Sequence, residues 1–337
     1  MRTGRIITVL LAVLTSVACL AGIVGCAANP AGNGADTTPL KVAAMKGPTA
    51  IGLASLMQEQ DALADEGKKP AYEFTVAATA DELVPRVAAG DFDIACVPAN
   101  LAVKLYEQTG GAIRVIGINT LGVLYGVSHD GDVRDIGDLA GRTVYLTGKG
   151  SVPGYTVEYL LAKAGVADSV TLEYTSEPSE ALARMNVDPS AVAIVPEPFA
   201  TASLAKDAEL VRVLDLTALW DEFTGTQAGR FVTGVTVARS ELIDDDPEAV
   251  ASFVDAWDAS VRSALADSSS IAQTLVDLGI LGDAALADKA VPNCNVVCIR
   301  SEEMKDDLSG YLETLHAAEA SSIGGALPDD VFYYIGS

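Results

Sequence analysis

From Leu40 onward, short runs of β-branched and other apolar residues alternate with longer stretches whose apolar positions recur at helical spacing. That order predicts an α/β protein with largely parallel sheets. Leu40 to Met45 reads as a strand, Lys46-Gly47-Pro48-Thr49 as a turn, and Ala50 to about Ala64 as an amphipathic helix that Pro48 is suited to start. Tyr72 to Ala77 reads as a second strand. Thr79-Ala80-Asp81-Glu82 has capping-box spacing and opens a helix to Ala89, which Gly90 ends. Phe92 to Val97 is the third strand, Ala99 to Gln108 a helix, and Ile113 to Asn119 and Val123 to Ser128 two further strands. After the extended run Phe231 to Ala238 the pattern turns helical over Pro247–Ala266, Ile271–Leu278, Ala284–Ala290 and Ser301–Ala318, with no partner strand for a third sheet.

The pattern is written twice. Val144 to Thr147, the turn Gly148-Lys149-Gly150-Ser151 and a helix from Pro153 repeat the opening strand, Lys-Gly turn and Pro-started helix. Glu180 to Leu204 echoes Glu82 to Leu105. The separation of Lys46 from Lys149 nearly equals that of Val97-Pro98 from Val195-Pro196, which predicts two lobes of one design. Residues 233–337 then return to the first lobe, with crossovers near Tyr125–Ser128 and Val232–Val235. Gly126 and Gly234 are the hinge candidates.

The N-terminus is of another kind. Arg2 and Arg5 precede an uncharged, mostly apolar stretch from Ile6 to Val24, the order of an export signal. It ends at Ile23-Val24-Gly25-Cys26, which resembles a bacterial lipoprotein cleavage box with Cys26 as the acylated residue; Ser16-Val17-Ala18-Cys19 is a weaker box. A plain membrane-spanning anchor is the competing reading. The unpatterned Ala27 to Thr38, a tether of small and turn-forming residues, favours the lipoprotein. Acyl chains hold a protein at a membrane by about 0.8 kcal/mol per buried methylene.

Charge narrows the partners. Lys and Arg number 22 against 46 for Asp and Glu, a net −24, and that field repels phosphate backbones. Mean hydropathy is +0.30, but much of it comes from the N-terminal stretch and from alanine, and no second long apolar run follows. Export places the body where disulfides persist. Cys96, in an apolar strand, reads as a buried small hydrophobe; Cys294 and Cys298 flank a turn-like segment and read either as a short bridged loop or as two core thiols. With His129 and His316 the only histidines and neither beside that pair, no metal site is expected.

The chemistry expected is binding. Lys46-Gly47-Pro48-Thr49 and Gly148-Lys149-Gly150-Ser151 each join a strand end to a helix start, where backbone N–H groups and the helix dipole favour a ligand. Val97-Pro98-Ala99-Asn100 and Val195-Pro196-Glu197-Pro198-Phe199 hold the equivalent strand ends, and ligands of open α/β sheets sit outside the carboxyl ends of strands. Lys46, Thr49, Asn100, Lys149, Ser151 and Glu197 are therefore the candidate ligand contacts. Phosphate-loop and dinucleotide spacings are absent, and neither Ser151 nor the histidines stand in a nucleophile motif, so no catalytic residue and no cofactor are assigned. Glu197 is open to two readings, a buried carboxylate aimed at a cation or a helix-start acid.

The lipobox, the Lys46 turn, VAAGDFDIACVP, DLAGRTVYLTGKGSVPGYTVEYLLAKAGV and VPEPFA together resemble the solute-binding lipoproteins of ABC importers, nearest the nitrate, alkylsulfonate and thiamine-precursor type. The resemblance covers most of residues 40 to 240. It implies a two-lobed, type II periplasmic-binding-protein fold: a signal peptide over 1–25, a tether over 26–38, lobe one from 39–127 and 233–337, and lobe two over 128–232. It implies an extracytoplasmic, lipid-anchored monomer that passes a small solute to a membrane permease. A ligand-sensing lipoprotein without a permease is one alternative; a cytoplasmic-type enzyme of the same fold, in thiamine pyrimidine or menaquinone synthesis, is another. The solute stays open, since Lys46, Lys149 and helix N-termini suit a sulfonate- or nitrate-like anion, whereas Glu197 with Tyr125, Tyr155 and Phe199 suits a cationic heterocycle.

If Cys26 carries the anchor, Cys26→Ala will not incorporate labelled fatty acid and will leave the membrane fraction. A variant that still partitions into detergent, beside a wild type without acyl label, overturns this.

Overall fold

A computed structural model describes residues 38–225 and 229–336 of the chain. Cys26, its cleavage box and nearly all of the tether lie outside the described residues. Among those residues no helix is long and apolar enough to cross a membrane.

The strands, in chain order, are β1 (Leu40–Met45), β2 (Tyr72–Ala77), β3 (Ile94–Pro98), β4 (Ile113–Leu121), β5 (Leu124–Ser128), β6 (Thr143–Thr147), β7 (Thr171–Thr175), β8 (Val192–Pro196), β9 (Val211–Asp215), β10 (Val232–Arg239) and β11 (Val296–Ile299). They form two sheets, ordered β11-β4-β10-β3-β1-β2 and β7-β6-β8-β5-β9. In the first, β1 runs parallel to β2 and β3 while β10 lies antiparallel between β3 and β4; in the second, β6 runs parallel to β7 and β8 while β5 lies antiparallel between β8 and β9. The sheets thus share one plan, and the repeated sequence is the repeated plan: Pro98 and Pro196 end β3 and β8, and the two Lys-Gly turns follow β1 and β6. Each antiparallel strand is supplied by chain that has just left the other sheet. The passages are Gly122-Val123, between β4 and β5, and the segment between β9 and β10.

The helices of the first half are α1 (Pro48–Ile51), α2 (Ala54–Asp65), α3 (Ala80–Ala88) and α4 (Ala99–Gln108). Those of the second are α5 (Val152–Lys163), α6 (Pro178–Met185), α7 (Phe199–Lys206) and α8 (Leu216–Thr224). After β10 come α9 (Ser240–Asp245), α10 (Pro247–Ala266), α11 (Ala272–Asp277), α12 (Ala287–Ala290) and α13 (Ser301–Ala318). Thr79 caps α3 as its spacing predicts: its hydroxyl accepts from Glu82 N at 3.3 Å, and the Glu82 carboxylate accepts from Ala78 N at 3.1 Å. The helix read from Ala50 to Ala64 is broken at Gly52-Leu53, where a Cβ on Gly52 would stand 3.1 Å from Val261 Cγ2 of α10. In β3, Ala95 and Val97 face one hydrophobic cluster and Ile94 and Cys96 the other, so the strand is covered on both faces as a central parallel strand must be. Burial pushes the Cys96 thiol up to about 11.

One strand is added and one expectation changes. No third sheet forms among the described residues, but a short strand lies between α12 and α13: β11 joins the first sheet at the edge of β4, and Tyr333 bridges Val115 beside it. Its four residues, set off by Asn295 at φ 45°, are too short to carry a pattern. The Cys294–Cys298 bridge does not form; both thiols are free. Cys294 points into the cluster of α1, α2 and α11, its thiol donating to Ala290 O at 3.2 Å, whereas Cys298 borders the cluster around Trp257. Two thiols turned into separate cores cannot meet.

Where the halves join, aromatic rings fill the gap. Trp220 of α8 lies 5.6 Å from Phe231 and 5.2 Å from Tyr311 of α13, centroid to centroid, and Tyr159 of α5 adds a fourth ring at 5.2 Å from Trp220. Helix α13 packs on β4, β10 and α5, touching both halves.

Gly234 of β10 leaves no room for a side chain: a Cβ would stand 2.5 Å from Asn119 Oδ1 and 2.8 Å from Thr49 Cγ2. Gly234→Ala is expected to lose about 1–3 kcal/mol in urea unfolding by overpacking. Wild-type stability in that variant would show that the strand and Thr49 yield freely.

Candidate functional site

The strand ends of both halves turn toward one cleft. After Met45 the chain reverses through Gly47, whose φ of 128° few residues but glycine adopt, into Pro48 at the first turn of α1. The Thr49 hydroxyl donates back to Met45 O at 2.8 Å and so closes the turn. After Thr147 the matching turn uses Gly148 and Gly150 at φ 88° and 70°, and the Ser151 N–H and hydroxyl both donate to Gly148 O, at 3.0 and 2.8 Å. Gly154 lets α5 approach this turn; a Cβ there would stand 2.6 Å from Gly148 O.

Between these turns lies a cavity of about 400 Å³. One half contributes Met45, Lys46, Thr49, Asn100 and Lys104, the other Thr147, Ser151, Val152 and Pro196, and Phe231 and Thr233 close it near the second passage. That volume suits a small molecule, and an apolar wall with a few polar groups is the usual composition of such a site. Among the described residues its only charged lining groups are Lys46 and Lys104, and no carboxylate lines it, although the chain as a whole carries −24. Asn100 is 5% exposed and donates Nδ2 to Ser322 O at 3.3 Å, so the turn after α13 sets its orientation and leaves Oδ1 free.

The cavity therefore gathers Lys46, Thr49, Asn100 and Ser151 of the residues read from sequence, and leaves out two. Lys149 is exposed on the outer side of its turn, its Nζ 5.8 Å from the centre of the Tyr174 ring. Glu197 is buried and its carboxylate is engaged internally. It accepts from Thr201 Oγ1 at 2.8 Å and Thr201 N at 3.1 Å and pairs with Arg212, whose guanidinium stacks 4.0 Å over the Tyr125 ring. The Tyr125 hydroxyl in turn donates to Asn293 O at 3.0 Å, reaching the first-sheet side. Burial raises the Glu197 carboxyl above its ordinary range against the opposing pull of Thr201 and Arg212.

Gly126 lies inside β5 rather than at a passage, and closeness explains it: a Cβ would stand 2.9 Å from Leu214 Cβ. Gly122, at the passage itself, is crowded by Thr217 and Phe231. Lys104 was not read from the sequence. Its signal is the four-residue step from Asn100, which puts both on one face of α4. Thr233, whose buried Oγ1 has no hydrogen-bond partner, carries no local signal, since the second passage brings it to the cavity.

Solved structures share this architecture. The chain is similar to an ABC transporter from Parabacteroides distasonis, with a TM-score of 0.74 and 25% identity over 88% of this chain and 99% of that one. It is similar in fold to the periplasmic aliphatic sulphonate binding protein SsuA of Escherichia coli, with a TM-score of 0.65 and 13% identity over 87% and 92%. A Candida albicans protein described as having the generic periplasmic binding protein fold aligns with a TM-score of 0.54 and 13% identity over 88% and 94%. The two sheets, the two passages and the cleft between strand ends are those of a periplasmic-binding-protein fold. Residues 49–289 match the model of the VitK2_biosynth family, described as menaquinone biosynthesis, and the chain belongs to that family. No curated protein matches the chain by sequence.

Removing Arg212 tests the buried pair. Arg212→Met strands the Glu197 carboxylate and is expected to cost about 3–5 kcal/mol near neutral pH. Because the folded-state pKa of Glu197 is already raised, the charged form opposes folding, and losing the cation raises it further. The deficit should be largest at neutral and alkaline pH and should shrink as pH falls through the carboxylate range. A deficit that is the same at every pH overturns the assignment.

Proposed function

We propose that the chain is an extracytoplasmic solute-binding lipoprotein, anchored through Cys26, that captures a small anion between two lobes and passes it to an ABC-type permease. The observation that carries this reading is the cleft. Strand ends from both sheets converge on one cavity whose only charges, among the described residues, are two ammonium groups, set in a strongly acidic chain. Lys46 and Lys104 neutralise the anion, while Thr49, Asn100, Ser151 and Thr233 orient it through short polar groups. The anion is sulfonate- or carboxylate-like rather than cationic, because Glu197 is already paired with Arg212. Because β5 pairs within the second sheet, the first boundary falls at the Gly122-Val123 passage rather than at 127: lobe one comprises 39–122 with 232–337 and lobe two 123–231, closing about the two passages as a monomer. The likeness to an ABC transporter and to a sulphonate-binding protein supports delivery to a permease.

The family description favours a second reading, an enzyme acting on a menaquinone precursor. The inner lining favours binding: lysines, an amide and hydroxyls hold a solute, and among the described residues no carboxylate, imidazole or thiol stands with them there to move a proton near neutrality. Mass analysis separates the two, since a receptor releases its solute unaltered and an enzyme converts an excess.

A thermal-shift screen of organic anions and cations checks the charge assignment. An anion at a hundred times its Kd should stabilise the protein by about 2.7 kcal/mol. Lys104→Ala should remove most of that gain. Stabilisation by cations alone would overturn the reading.

A further inference from the structure

The inner cavity does not end at Lys46. Lys46, Pro48 and Pro196 also line a second space of about 990 Å³, which runs outward between α6 and α7 on one side and the turn at Gly279–Asp283 and Leu286 on the other. Its apolar wall is built from both halves: Leu182, Phe199 and Leu210 face Ile280, Leu281 and Leu286.

Resting on the binding reading of the cleft, we propose that the two spaces are inner and outer chambers of one site and that the solute is elongated. Its acidic head lies inside between Lys46 and Lys104, and an apolar body at least as large as an aromatic ring lies across the outer chamber. Three observations lead there. The chambers adjoin, since Lys46, Pro48 and Pro196 line both. The outer wall keeps Leu182, Phe199, Ile280 and Leu286 only half-buried, and covering apolar surface is favourable by roughly 25 cal/mol per Å². Charge orients the molecule: among the described residues the inner chamber carries ammonium groups alone, whereas the outer one carries Glu177, Asp207, Asp283 and the Arg212-paired Glu197 against Lys206 and the shared Lys46. Lys46 stands at the waist between them. Gly279, at φ 64°, keeps its place open, since a Cβ there would stand 2.7 Å from Lys46 Nζ.

Calorimetry on the full chain with two probes tests this: ethanesulfonate, which the inner chamber holds alone, and anilinonaphthalenesulfonate, which adds a large apolar body. The larger probe should bind one-to-one and about tenfold or more tighter than the smaller, for the apolar area it covers. Leu182→Glu and Leu286→Glu, one on each wall, should each remove about that factor for the larger probe and leave ethanesulfonate unchanged. Both positions are half-buried, and if one variant fails to fold the other carries the test. Val187→Glu, at a residue 83% exposed just beyond α6, makes the same charge change outside the chamber and should alter neither probe. Equal wild-type affinities, or leucine variants that weaken both probes alike, would overturn the outer chamber while leaving the cleft reading intact. Binding of neither probe, or no effect of Lys104→Ala on either, would overturn both.

Discussion

The exchange of one antiparallel strand between the two sheets is the constraint on which the rest depends. A β3-β1-β2 or β8-β6-β7 unit by itself leaves the strand after its central crossover without a neighbour, and unpaired backbone groups in a buried strand are costly. Here β10 and β5 fill those places, each delivered by chain arriving from the other sheet. Neither sheet is complete without both passages. The halves are thereby tied twice at one edge, and the carboxyl ends of their parallel strands are left to converge on the space between.

That geometry decides the electrostatics of the cleft. Carboxylates crowd the chain as a whole, yet none of the described residues brings one to the inner cavity, because what reaches it are largely turns and first helical turns built from Gly, Pro, Thr and Ser, with two lysines added. Helix starts present N–H groups there, and the lysines raise the same positive potential. The proposed anionic solute would thus pass from a repelling exterior to an attracting interior.

The acid nearest the cleft serves the fold. Glu197 is held by Thr201 and Arg212, Arg212 by the Tyr125 ring, and Tyr125 by a backbone carbonyl of the segment before β11, a chain of contacts from one half to the other. On the opposite side of the joint, Trp220, Phe231 and Tyr311 pack the second passage against α13. A polar cluster and an aromatic one therefore both tie the halves together.

Local chemistry made much of this legible in the sequence. Capping at Thr79, prolines at helix starts, glycines in the Lys-Gly turns and the alternation of apolar runs all act within a few residues, so they determined the strands, most helices and the repeated plan, and with them Lys46, Thr49, Asn100 and Ser151 as a set. What those signals cannot carry is direction and distance. Lys149 and Ser151 share one turn, yet Ser151 lines the cavity while Lys149 is exposed beside the Tyr174 ring. Glu197 found an internal cation because Arg212 of β9 is folded beside it, Cys294 and Cys298 were parted because they enter different cores, and Thr233 met the cleft through the second passage. Each of these was decided by which long-range neighbours the tertiary structure brought within a few ångströms, and short-range spacing holds no record of them.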